Sequence, residues 1–148
     1  MEKPHLVPTS ALTAAGARAI LDAAQAEAVA IGVPQCLAVV DAGGRLLAFV
    51  RMDGARPASA EIAISKAVSA ALRYRPTADE AGGEAAGGAR LSLASGGLVT
   101  NIGGGFPIVV DGRTIGGIGA SSGTVAEDSR CAEAGLAALR ELATLEAE

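Results

Sequence analysis

The sequence predicts an α+β layered domain, in which antiparallel hairpins make one sheet and helices cover its apolar faces. Two observations predict this class. Helical periodicity recurs near the start, in the middle and at the end of the chain, and strand pairs joined by tight turns lie between the helices. At 148 residues, with no internal repeat and no domain-sized linker, residues 1–148 read as a single domain, with 1–9 as a flexible tail.

The elements follow in order. Ser10 or Thr13 can cap a first helix that runs to about Ile31, with Leu12, Ala15, Ala19, Ala23, Ala26 and Ala30 as a small-residue stripe. Gly32 and Pro34 end it. Cys36 to Asp41 reads as a buried strand, Ala42-Gly43-Gly44 as a turn, and Arg45 to Met52 as the hairpin partner. Alternation puts Leu47, Phe49, Arg51 and Asp53 on one face of that second strand. A helix from Ala58 or Ser59 to about Tyr74 carries Ile64, Ala67, Val68, Ala71 and Leu72 on its apolar side, and Arg75-Pro76 stops it. From Thr77 to Arg90 the chain is rich in Ala, Gly and Glu. It reads as a loop, either a lid around Gly82 to Gly88 or a plain connector. Ser95 to Ile102 reads as a loop leading into a strand. Phe106 to Val110 and Arg113 to Ala120 form a hairpin about a type I′ Asp111-Gly112 turn. The last helix starts at Thr124, with Glu127 completing a capping box and Ala132, Leu136, Leu139 and Ala143 as its buried stripe.

Composition narrows the function. Half of the residues are apolar, but there are only two Phe, one Tyr and no Trp, so the core must be built from Ala, Val, Leu and Ile. The net charge of −4 has interspersed signs and no basic stripe, which argues against a nucleic-acid partner. No apolar run reaches membrane-spanning length, and no signal-like start is present, so neither membrane association nor export is expected and a cytoplasmic location is. Cys36 and Cys131, isolated in a strand and a helix pattern, are expected to be reduced core residues. No metal site is predicted, because His5 is the only histidine and lies in the tail. The same scarcity excludes Ser/His/Asp and Cys/His nucleophile systems built within the fold.

Gly117-Ile-Gly119-Ala-Ser-Ser-Gly123 misses the dinucleotide-binding spacing and follows an antiparallel hairpin, so its glycines are expected to admit a helix backbone. Ser121, Ser122, Gly123 and Thr124 lead into a helix N-terminus, suited either to simple capping or to an anion. Arg51 and Asp53 end a strand beside a Gly-containing break. They can pair with each other, or Arg51 can hold a carboxylate while Phe49 supplies apolar contact. Lys66 falls with Ser69 and Arg73 on the polar side of its helix, as a solvated cation or a site group. Asp128 sits in the first turn of the last helix, where the dipole favours it.

In order along the chain, Val39 to Ala55, Ile62-Ala-Ile-Ser-Lys-Ala67, Arg75-Pro-Thr77, Gly103-Gly-Gly-Phe-Pro-Ile108, Val110-Asp-Gly112 and Gly116 to Gly123 through Asp128 resemble the GlcG/HbpS-like, or haem-degrading-domain, family. That family includes the C-terminal domain of PduO-type proteins, and the resemblance covers nearly everything after Thr9. It implies a profilin-like fold: a five-stranded antiparallel sheet between helices, three layers α/β/α, in homo-oligomers from dimers to octamers. It also implies haem, a corrinoid or another small anionic molecule as ligand. No histidine falls inside the matched region, so a haem iron would need Tyr74, Cys36, Met52 or a weak oxygen ligand.

Three functions compete. In a binding protein, Arg51, Phe49, Asn101, Ser121, Ser122, Gly123 and Thr124 would hold the ligand. In a cofactor-free enzyme acting on a small carboxylic acid (isomerase, hydratase or deaminase in type), Arg51 would hold the carboxylate. Asp53 or Asp128 would move the proton, and Lys66 would stabilise developing negative charge. A structural oligomer would have no site.

Overall fold

The computed structural model describes residues 4–78, 90 and 92–147. The lid-or-connector segment falls largely outside them. Helix α1 (Ala14–Ile31) starts behind Thr13, whose Oγ1 accepts from the Gly16 N–H at 3.0 Å, and ends at Gly32 with φ +67°. Strands β1 (Cys36–Asp41) and β2 (Leu46–Arg51) form the first hairpin, helix α2 (Ser59–Arg73) follows, and β3 (Gly105–Val110) and β4 (Arg113–Ser121) form the second. Both residues of the Asp111-Gly112 turn have positive φ, 50° and 73°, as a type I′ turn requires. Helix α3 (Val125–Glu146) closes the chain behind Thr124 with a complete capping box to Glu127.

The four strands pair antiparallel in the order β2-β1-β4-β3. The expected α+β architecture holds, with four strands among the described residues and not five. The segment before β3 does not join the ladder because hydroxyls satisfy its backbone. Val99 N donates to Ser95 Oγ, Thr100 N to Ser69 Oγ on α2, and Ile102 N to Thr100 Oγ1.

Strand β1 is central and buried on both faces. Leu37 and Val39 point into a core shared with α1 and α3, together with Ile108, Ile115 and Ile118. Cys36, Ala38 and Val40 point the other way, against Ala63, Ala67, Val68 and Ala71 of α2. Glycines set the second distance. A Cβ on Gly117 would lie 2.2 Å from Ala67 O, and one on Gly119 would lie 2.1 Å from Ala63 O, so α2 rests directly on the backbone of β4. This is the helix-on-glycine packing expected from the sequence.

Three side-chain assignments change. In α1 the buried stripe is Ala17, Ile20, Leu21, Ala24 and Ala28. Alanine surrounds the helix, so the bulky Ile20 and Leu21 choose the inward face. In β2 the register slips between Val39 and Val40, which skips Leu47 in the pairing and turns it into the α1/α3 core, away from Phe49 and Arg51. In α3 the buried residues are Asp128, Cys131, Ala132 and Gly135. Leu136 and Leu139 are half-buried and Ala143 is exposed.

Candidate functional site

All but one of the residues singled out by sequence as site candidates fall into two groups, and the loop that joins them, at one end of the sheet. The outer group lies on β2. Arg51 pairs in register with Cys36, which pairs with Ser121, and Phe49 pairs with Ala38, which pairs with Gly119. Residues in one such row share a face, here the face that α2 covers. Helix α2 packs over β1, β4 and β3, and the β2 margin of that face stays open. Phe49 is consequently 37% exposed, and Arg51 is exposed beside it. Arg51 and Asp53 do not pair with each other. Among the described residues Arg51 makes no ion pair, and Asp53 is exposed in the turn after the strand.

The inner group is a buried polar knot. Lys66 does not stand on a solvated face; it is 1% exposed. Its Nζ donates to Ala120 O at 2.8 Å and to Asp128 Oδ2 at 2.9 Å. Asp128 is 3% exposed, and its Oδ1 accepts the Gly123 N–H at 2.9 Å. One ion pair therefore ties α2, the end of β4 and the first turn of α3 together. Gly104, with φ +113°, leaves room for it: a Cβ there would meet Ala120 O at 2.9 Å and Lys66 Nζ at 3.0 Å.

The Ser121-to-Thr124 loop joins the two groups. Ser121 is buried, and Ser122 Oγ accepts from Arg56 N at 3.0 Å, drawing the loop after β2 over the sheet end. Thr124 Oγ1 and Glu127 are occupied in capping. Asn101 lies apart from these, half-buried in the segment that leads into β3, the opposite edge of the sheet from Arg51.

Sequence reasoning missed Gln35. It is fully buried, and among the described residues neither polar atom of its side-chain amide has a hydrogen-bond partner. A Cβ on Gly123 would stand 2.8 Å from its Nε2. The one available signal was a polar residue directly before a strand with no polar alternation.

The interior offers poor ligands for iron. Both thiols are free and buried. Burial pushes the Cys36 thiol up, against the pull of Arg51. Burial, reinforced by the carboxylates of Glu27 and Asp128, pushes Cys131 up to about 11. Met52 Sδ accepts from Gln35 N at 3.4 Å. Tyr74 is 73% exposed, and His5 is exposed in the N-terminal segment.

Known proteins share this framework. Protein GlcG of Escherichia coli K12 is 41% identical over 105 residues, 71% of this chain and 77% of that protein. The crystal structure of Klebsiella pneumoniae ORFY superposes with a TM-score of 0.83 at 30% identity, covering 95% of this chain and 98% of that one. A crystallised PduOC:heme complex superposes at 0.77 and 31% identity, covering 87% and 95%. The model of the haem degrading protein HbpS-like family matches residues 12–137, so the chain belongs to the HbpS-like family.

Proposed function

We propose that the protein is a homo-oligomeric small-molecule-binding protein whose ligand carries a carboxylate, with haem and corrinoids as the leading classes. The observation that carries this reading is the open β2 margin. There an exposed guanidinium with no acidic partner among the described residues stands beside an exposed aromatic ring, in register with Ser121. Arg51 suits a carboxylate or propionate through its paired N–H groups, and Phe49 suits the apolar body of the same molecule. The start of α3 at the same end of the sheet is already capped by Thr124 and Glu127 and carries Asp128, so the anion-binding role falls to Arg51.

The similar PduOC protein crystallised as a haem complex lends haem first place among the ligands to test. The donor set of this chain supports recognition through propionates, and the buried thiols and engaged Met52 do not suit axial ligation. Binding is preferred over catalysis because Lys66 and Asp128, two of the four residues an enzyme would use, are buried and bound to each other.

Titrating the protein with haemin tests the proposal. Saturable change of the Soret band is expected, with affinity about tenfold or more weaker for Arg51→Ala, the loss expected for a charged hydrogen-bonding group. A Soret band that never saturates removes haem as the ligand. Equal affinity in the variant removes Arg51 from the site.

A further inference from the structure

Another surface lies outside this site, at the opposite edge of the sheet. Between the edge strand β3 and the C-terminal half of α3 runs a hollow of about 250 Å³, lined by Phe106, Val109, Leu136 and Leu139 among others. An adjoining hollow shares Phe106, Leu136 and Arg140 with it and adds Glu133, so Glu133 and Arg140 stand along α3 with Leu136 between them. Both charges are exposed, and neither is in an ion pair among the described residues. Val109 is 51% exposed on the same groove, an unusual position for a β-branched apolar residue on an uncovered edge.

The spacing of these groups is self-complementary. Residues 133 and 140 are two helical turns apart, roughly 10 Å along the axis, with opposite charges and an apolar centre. Laying a second α3 antiparallel across the first, with the twofold axis near Leu136, brings each Glu133 to the other's Arg140 and the leucines into mutual contact. Twofold contacts are isologous, so a patch that complements itself is what they require. A different partner would need a matching pattern of its own, whereas a second copy carries it by construction.

We propose that the β3/α3 groove is a twofold contact between copies of this chain, held in register by two Glu133–Arg140 pairs around Leu136. This rests on the proposal that the protein self-associates, and it names the face. Sedimentation velocity of the full chain and three variants tests it. The unaltered protein is expected to sediment as a dimer or larger. Glu133→Arg and Arg140→Glu each place like charges at both ends of the contact and are expected to weaken association by about tenfold or more. The combined reversal restores the pairing and the assembly. Circular dichroism checks that the folds are intact, as exposed positions should leave them. A monomeric unaltered protein overturns both the face and self-association. An assembly indifferent to the single reversals, or a double variant that stays dissociated, overturns the face alone.

Discussion

Lys66 shows how far the environment decides what a residue does. Its four-carbon stem runs between α2 and the glycines of β3 and β4, and its ammonium ends on Ala120 O and Asp128. Two charges out of water cost several kcal/mol each in lost hydration. Their mutual attraction and the added hydrogen bonds offset that cost only while both are present. Removing one partner therefore costs more than the pair contributes. Lys66→Met leaves a buried carboxylate and Asp128→Leu a buried ammonium, and each is expected to destabilise the protein by about 3–5 kcal/mol. The double variant, neutral and apolar, should fall well short of the sum. Urea unfolding of the four proteins gives the coupling, and additive costs would show that the pair does not act as a unit. Little of this was legible beforehand. A lysine grouped with Ser69 and Arg73 matches a solvated face, and only the glycines at 104, 105 and 119, read as one crowded junction, hint that a long stem is enclosed there.

At the scale of elements, the contact between α2 and β4 governs the α2-side layer. Helices normally stand about 10 Å from a sheet because side chains separate them. Here Gly117 and Gly119 let the carbonyls of Ala67 and Ala63 approach to where a Cβ would sit. The periodicity of α2 agrees, with alanines at 63, 67, 70 and 71 facing the sheet. A methyl at 117 or 119 has no flexible side chain to displace and must move backbone. Gly117→Ala and Gly119→Ala are each expected to cost about 3 kcal/mol or more, the upper part of the range for overpacking. Gly43→Ala is the control. Its φ is not in the left-handed region and its nearest contact would be an ordinary 3.4 Å to Asp41 Oδ1, so a change within about 0.5 kcal/mol is expected. Thermal or urea melts separate these outcomes, and a Gly119→Ala protein as stable as the control would show that α2 can lift off β4 freely. This packing was legible in sequence because glycines inside a strongly patterned hairpin need a reason, and close backbone approach is the commonest one. The β2 bulge was not legible. Leu46 and Leu47 are equally apolar, so nothing in the pattern marks where the alternation changes phase.

Across the whole molecule, the hairpins, helices and their order were visible because turn chemistry and caps mark each boundary: Gly32, Asp111-Gly112, and Thr124 with Glu127. The fifth strand failed for a complementary reason. Whether residues 98–102 enter a sheet depends on which partners reach their N–H groups, and the Ser69 and Ser95 hydroxyls reach them first. The site was only partly legible. Residue types pointed to Arg51 and Lys66 alike, and burial separated an exposed guanidinium from an enclosed ammonium. The same architecture dictates how the chain unfolds. Strand β1 contributes side chains to both cores and α2 rests on the glycine backbone of β4, so neither the α1/α3 layer nor the α2 layer can detach without exposing the central strands. Amide hydrogen exchange should therefore sort the chain by layer sharing. The Leu37, Val39 and Ile118 amides, hydrogen-bonded within the sheet centre, are expected to exchange only through global unfolding and to share one opening free energy. The Val99, Thr100 and Ile102 amides depend on single hydroxyl acceptors and are expected to exchange several kcal/mol more easily. If Val39 and Ile118 opened with clearly different free energies, the two layers would be separate cooperative units, and the central sheet would not bind them into one.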